Sequence, residues 1–372
     1  MVHIDHFSFL PDPIIHMIIS HLPFKEAART SILSTRWRRL WHSTTNIDLD
    51  ETLFVRNQQS SVSRSMQRLN FLNFIDRWMG NYAEPSVDKY RIKISNPTEA
   101  LRQVQTCISF ALNHREIKAL DLDFSDPTWD AFNLDLLPHQ PSLDLPVILD
   151  SHTMLESLHL SACTTFRIPH RDCRFDSLKS LYLGWMEMRG HSINRFVKLC
   201  LSLETLIIKR CWGVEDLNIE SQSLRFLAID KCLGLGKITV KKTPLLKYFQ
   251  YYGLSVSLEM EDMPTMEQAV FDYTHDENWS DGDADMLREI LCKISSVWAL
   301  SICSYVLQVL PLVPSALWLT PSLASVTHLF LKTKLHIQEY YGISLFLNSC
   351  PQLELLSIDL GPQPIFEVII IN

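Results

Sequence analysis

Glycine is scarce in this chain: ten residues among 372. Loops that wrap closely around a phosphate or a cofactor rely on glycine for left-handed and close-approach backbone, so little material exists for them. The motifs built on such loops and their relatives are missing too, with no G-x-S-x-G elbow, no phosphate-cradling glycine loop and no H-E-x-x-H. The nine cysteines include no C-x-x-C pair and have no zinc-finger spacing with histidine, which argues against a structural metal. Their odd number, and the lack of a charged-then-apolar leader in MVHIDHFSF, point to a reducing compartment, cytoplasm or nucleus. A net charge of −8 and a pI near 6.0 argue against nucleic-acid binding through the overall field. Long apolar runs are also few. The one from Val297 to Pro314 carries Gln308 and two prolines, and its first part reads as a buried strand rather than a membrane span.

Two further candidates for chemistry fail on inspection. Asp281, Asp283 and Asp285 copy the first ligands of a calcium loop, but Met286 replaces the glycine of the turn and Cys292 the bidentate glutamate, which leaves a solvated loop before a helix. His16, His21, His114, His159, His191 and His328 are scattered without clustered partners, so core or surface positions are the default.

What the chain does contain is apolar material in two patterns. At 47% hydrophobic and 20% charged residues it is a globular sequence with ample core. The first pattern lies between Phe9 and Trp41. Asp12 and Pro13 read as a helix start, with a capping oxygen and a proline at a position that needs no N–H. Ile14, Ile15, Ile18, Ile19 and Leu22 follow at helical spacing. Pro23 ends that helix and opens a second, which carries Ala27, Ala28, Ile32 and Leu33. Ser34 caps a third, with Trp37, Leu40 and Trp41 on one side. Three helices this short cannot enclose a core of their own, so the rest of the chain or another protein must cover them.

The second pattern is an internal repeat. Leu-x-x-Leu-x-Leu recurs as Leu155-Leu158-Leu160, Leu178-Leu181-Leu183, Leu203-Leu206-Ile208, Leu224-Leu227-Ile229 and Leu246-Phe249-Tyr251, with first residues 23, 25, 21 and 22 positions apart. That period lies within the range of leucine-rich repeats. Cys163, Cys211 and Cys232 stand eight residues after the first leucine, where such repeats place a side chain that satisfies backbone groups at a tight turn. Weaker copies begin at Val87, Ile117, Met266, Val297, Val326 and Leu353, giving eleven candidate strands. Helical patterns precede several of them, with Ile193, Phe196, Val197 and Cys200 before Leu203, Leu287, Ile290, Leu291 and Ile294 before Val297, and Ile343, Phe346, Leu347 and Cys350 before Leu353. The unit is a helix, a turn and a buried strand, and stacked units predict an irregular α/β solenoid with a parallel sheet on its concave face. The Pro- and Asp-rich stretch 123–150 reads as a loop on that array, and FEVIIIN at the end as a cap. Arg64 to Met79 reads as a connecting helix with Leu69, Leu72, Ile75 and Met79 facing inward.

The residues Leu10-Pro11-Asp12, Leu22-Pro23, Lys25, Ala27, Thr30-Ser31, Leu33-Ser34 and Arg36-Trp37-Arg38 closely resemble the F-box of plant F-box proteins, with Pro13 as one departure. Members of that family commonly carry irregular leucine-rich repeats, so the resemblance extends over nearly the whole chain. It implies an F-box at 7–46, the connecting helix at 64–80 and a repeat solenoid at 86–372. It further implies a non-catalytic substrate-recognition subunit of an SCF-type, cullin-RING ubiquitin ligase, with no cofactor. The F-box would dock on a small S-phase-kinase-associated adaptor, and through it on cullin, using Leu10, Pro11, Ile14, Ile18, Leu22, Pro23, Ile32, Leu33 and Trp37. A target protein of unread identity would meet the exposed strand residues, among them His159, Tyr182, Ile207, Ala228 and Gln250, with Trp185, Tyr251 and Tyr252 as anchors near strand ends. The rival readings are a repeat scaffold that recruits no ligase and, from another class, an enzyme with a closed polar pocket.

Overall fold

The computed structural model describes residues 6–55, 61–82, 87–95, 97–114, 116–126, 129, 152–163, 175–188, 192–274, 281–312 and 323–360. The chain divides into two compact units, Met1–Leu178 and Lys179–Asn372. Most of the 123–150 stretch, and FEVIIIN, lie outside the described residues.

The first unit begins with three short helices, α1 (Asp12–His21), α2 (Phe24–Arg29) and α3 (Thr35–His42). Ser34 caps α3 by accepting from the Trp37 N–H at 3.3 Å. Asp12 does not cap α1, whose N-cap is Pro11; its carboxylate pairs at 2.6 Å with Arg36 on α3 and so ties the first helix to the third. The chain then enters β1 (Asn46–Asp50), the short α4 (Glu51–Phe54), α5 (Ser61–Asn81), β2 (Lys89–Lys93), α6 (Leu101–Asn113), β3 (Ala119–Asp123) and β4 (Ser157–Ser161). Strands β1 to β4 pair in parallel and in order. Their inward residues, Ile47 and Leu49, Tyr90 and Ile92, Leu120 and Leu122, Leu158 and Leu160, are buried, and Tyr90 donates its hydroxyl to the Cys107 carbonyl of α6 at 3.1 Å. α5 is therefore the crossover helix of the first β–α–β unit. Within it Phe71, Leu72, Ile75, Trp78 and Met79 are buried, but Leu69 is 52% exposed and does not face inward. Aliphatic and aromatic residues share the buried face of α5, and Leu69 lies outside it.

In the second unit the main sheet consists of β5 (Ser180–Gly184), β6 (Thr205–Lys209), β8 (Phe226–Asp230), β10 (Tyr248–Gly253), β12 (Gln268–Tyr273), β13 (Ala299–Cys303), β14 (His328–Lys332) and β15 (Leu355–Asp359), all parallel. Helices α7 (Ser192–Leu199), α8 (Asp281–Lys293) and α10 (Tyr340–Ser349) precede β6, β13 and β15 as the periodicity predicts, and α9 (Ser304–Val309) follows β13. Three of the intervening segments are strands instead: β7 (Asp216–Glu220), β9 (Lys237–Lys241) and β11 (Ser257–Met260) form a second parallel sheet. The reason is length and pattern. The copies starting at Leu203, Leu224 and Leu246 run only 20 to 22 residues to the next, too short for a helix with its turns, and DLNIE, KITVK and SLEM alternate polar and apolar residues.

The described part of the apolar run, 297–312, holds β13, α9 and a short 3-10 turn at Leu310–Leu312, and no helix among the described residues is long and apolar enough to cross a membrane. The aspartates Asp281, Asp283 and Asp285 belong to the first turns of α8 rather than to a loop before it, and Asp283 accepts from the Tyr305 hydroxyl at 3.3 Å. At the edge strand β15, Leu356 and Ile358 are in register with the buried Leu329 and Leu331 of β14, yet both are exposed.

The strand ends share one turn. Ala162, Trp185, Arg210 and Lys231 all adopt left-handed backbone, with φ of 57°, 52°, 51° and 49°, whereas Gly253, at the equivalent position, is still the last residue of β10 and has a φ of 158°. The next residue is the cysteine of the ladder where one is present. Cys211 Sγ lies 3.5 Å from the carbonyls of Leu183 and Lys209, and Cys232 Sγ lies 3.7 Å from that of Ile208. Burial raises the Cys163 and Cys211 thiols far above their ordinary pKa and pushes Cys232 up to about 12, so these groups are hydrogen-bond partners of the backbone and not thiolate nucleophiles.

Candidate functional site

The short N-terminal helices have two sides with different fates. One side is packed by aromatic rings. Phe24 of α2 meets Trp41 of α3 at 5.7 Å between centroids and Trp78 of α5 at 5.3 Å, and Trp41 stacks on Phe74 of α5 at 6.4 Å with 9° between planes. Phe54 of α4 closes the cluster against Phe71 and Phe74. Ile15, Ile19 and Ala27 are buried on this inner side. Fully packed rings of this kind fix the helices to the first β–α–β unit.

The other side is left in water. Ile32 is 83% exposed, Leu33 63% and Phe9 78%, and Phe7, Ile14 and Met17 are exposed as well. Pro11 and Pro23 are exposed, while Leu10, Ile18 and Leu22 are half-buried. Isolated apolar residues at a surface need no explanation, but six large ones within 27 residues of short helix do. Of the nine residues expected to form the adaptor surface, Trp37 is the exception: it is 6% exposed, with Phe7 packed edge-on to its ring at 6.4 Å. Its place on α3, between the outer side and the core, makes it a support beneath the surface. Phe7, Phe9 and Met17 were not legible as surface residues, since periodicity alone does not say which of two apolar sides faces inward.

The open face of the strands forms the second candidate surface. In the first unit its middle row is Asp48, Arg91, Asp121 and His159, in register across four strands. Arg91 pairs with Asp121 at 3.1 Å, with Asp50 at 3.6 Å and with Asp48 at 3.7 Å, His159 meets Asp121 at 3.3 Å, and Lys93 meets Asp123 at 3.2 Å. Burial raises the Asp48 and Asp121 carboxyls above the usual range despite Arg91, and burial lowers the His159 imidazole despite Asp121. This charged ladder escapes a linear reading because each pair joins residues about 30 to 40 positions apart.

In the second unit Tyr182, Ile207, Gln250 and Tyr252 are half-buried on the open face, whereas Ala228 and Tyr251 are buried. Trp185 is also buried, at 4%, with the Arg210 guanidinium 4.8 Å above its ring. As an anchor for a target it is thus covered by its own chain. Among the described residues no group of three or more histidine, cysteine or acidic side chains could hold a metal ion.

Residues 7–47 match the F-box domain family, and residues 129–270 match a family described as "FBD-associated F-box protein At5g56370, LRR repeats". The Arabidopsis thaliana protein "Putative F-box/LRR-repeat protein At1g56400" is 30% identical over 369 residues, which cover 97% of this chain and 75% of that protein. "F-box protein At3g62230" of the same plant is 31% identical over 371 residues, covering 98% of this chain and 79% of that protein.

Proposed function

The chain belongs to the plant F-box family whose members carry leucine-rich repeats, and we propose that it is the substrate-recognition subunit of an SCF-type ubiquitin ligase. In this reading the N-terminal helices hold the S-phase-kinase-associated adaptor, which in turn holds cullin, and the open strand face holds the protein to be ubiquitinated. The subunit performs no covalent chemistry itself; its work is to bring two partners together in the cytoplasm or nucleus.

One observation carries the proposal. A set of large apolar residues stands in water on helices whose opposite side is already locked to the fold, which is the arrangement expected of a surface that a stable partner covers. The adaptor contacts we assign are Leu10, Pro11, Ile14, Ile18, Leu22, Pro23, Ile32 and Leu33, extended by Phe9 and Met17, with Trp37 as support. Purified adaptor is expected to form a stoichiometric complex with the chain, and failure to co-purify would contradict the reading.

A further inference from the structure

The open face of the second unit sorts its residues by charge. One register row across eight strands reads Ser180, Thr205, Phe226, Tyr248, Gln268, Ala299, His328, Leu355, and the next open row reads Tyr182, Ile207, Ala228, Gln250, Val270, Ser301, Phe330, Ser357. None of these sixteen positions is Asp, Glu, Lys or Arg. Charges flank these two rows on both sides: Lys209, Asp230, Asp272, Lys332 and Asp359 in the third row, where Lys332 pairs with Asp272 at 2.7 Å and Lys209 approaches Asp230 at 4.0 Å, and Glu204, Arg225, Lys247 and Glu267 just before the strands, where Glu267 accepts from the Tyr248 hydroxyl at 3.1 Å. Phe330 is exposed, and Trp298, just before β13, is exposed with its ring edge-on to His328 at 5.2 Å. In the first unit the corresponding middle row is the charged ladder of Asp48, Arg91, Asp121 and His159, so an uncharged row is not a requirement of the fold.

A partner charge laid on the two neutral rows would lose water and gain no counter-ion, which penalises charged segments, whereas apolar side chains would gain from burial. Geometry narrows the shape. Neighbouring strands stand about 4.8 Å apart. A helix running along the rows rises about 5.4 Å per turn and can set one apolar residue at each strand, whereas an extended chain presents same-side residues every 6.5 Å or so and falls out of step.

We propose that this face docks an amphipathic helix of the target protein, with an uncharged apolar stripe over the rows of Tyr182, Ile207, Val270 and Phe330 and polar atoms toward Lys209, Asp230 and Asp272. The inference rests on the reading of this face as the target-binding surface, and it names the class of segment bound there.

The test is a selection from a displayed library of random peptides of about 20 residues, enough for a helix of about 30 Å, against the immobilised full chain. Expected winners carry apolar residues at spacings of three and four with no charge on that side, and their affinity is nearly independent of salt. Ile207→Glu and Val270→Glu should each weaken them about tenfold or more, while Lys198→Glu on α7 changes nothing. Thermal melts of each variant confirm folding, and Ile207→Gln, which adds no charge, should weaken binding less than Ile207→Glu. Winners that are charged and salt-sensitive, that alternate with period two, or that ignore both variants would overturn the proposal, as would the absence of any winner. Adaptor binding measured on the same samples separates the two readings: its loss in the parent chain refutes the ligase assignment and leaves the peptide result standing.

Discussion

Phe24 stands edge-on to Trp78, with ring centroids 5.3 Å apart and planes at 86°, and this contact joins the second N-terminal helix to the first crossover helix. It makes the N-terminal helices part of a larger core and answers how so short a module stays folded. Phe24→Ala or Trp78→Ala should lower stability by about 3 to 5 kcal/mol, the usual loss for a buried large aromatic ring. Trp37→Ala should also lower stability, since the ring is buried. Leu33→Ala, at an exposed position, should change it by no more than about 0.5 kcal/mol. Denaturant melts of the four variants check the ranking.

Gly342 of α10 faces the backbone of Leu307 so closely that a Cβ would come within 1.9 Å of the Leu307 carbonyl oxygen. Gly342→Ala must push α10 away from α9, at a cost of about 3 kcal/mol or more. Gly80, with open space around it near the end of α5, provides the contrast: Gly80→Ala should stabilise by up to about 1 kcal/mol. A paired thermal melt reads both signs.

Lys231 holds a left-handed φ of 49° at an exposed turn while its N–H donates to the Tyr252 carbonyl at 2.6 Å. A residue with a Cβ pays about 1 to 2 kcal/mol for that conformation, and glycine returns part of the gain through its freer unfolded chain. Lys231→Gly should therefore raise stability by roughly 0.5 to 1 kcal/mol, seen as a shift in the denaturant midpoint with unchanged slope.

Burial holds the His159 imidazole below its ordinary pKa of 6.5, and the nearby Asp121 only partly opposes this. The unfolded chain therefore binds a proton near 6.5 that the folded chain still refuses. The stability due to the neutral ring is complete above that pH and declines as pH falls through it toward the lower folded value. His159→Gln should flatten the fall in stability between neutrality and the carboxylate range, measured by melts over that window. A steeper fall in the variant would contradict the assignment.

Much of this fold can be read in the order of residues, because a buried strand of a stacked repeat must repeat its leucines. All eleven strands expected from that pattern are strands in the structure, and the helices before β6, β13 and β15 are present. β1 was hidden because Ile47 and Leu49 alone face inward and the strand follows α3 after only three residues. β7, β9 and β11 show their alternation once the short period of their copies is weighed against the room a helix needs. The orientation of Trp37, Leu69 and Trp185 was not legible. Each lies where two apolar or amphipathic sides compete for the core, and the winner depends on rings such as Phe7 and Trp78, or on the Arg210 side chain, supplied from elsewhere in the chain. The charged ladder of the first unit was invisible for a related reason, since Asp48, Arg91 and Asp121 become neighbours only through strand register.

The proposed ligase-adaptor surface is the exposed apolar side of the N-terminal helices. Titration of purified adaptor against the parent chain and against the double variant Ile32→Asp and Leu33→Asp tests it most directly, with thermal melts showing that both are folded. A saturable complex is expected for the parent and an affinity lower by at least about tenfold, or about 1.4 kcal/mol, for the variant. Equal affinity of the two, or no complex with the folded parent chain, would contradict it.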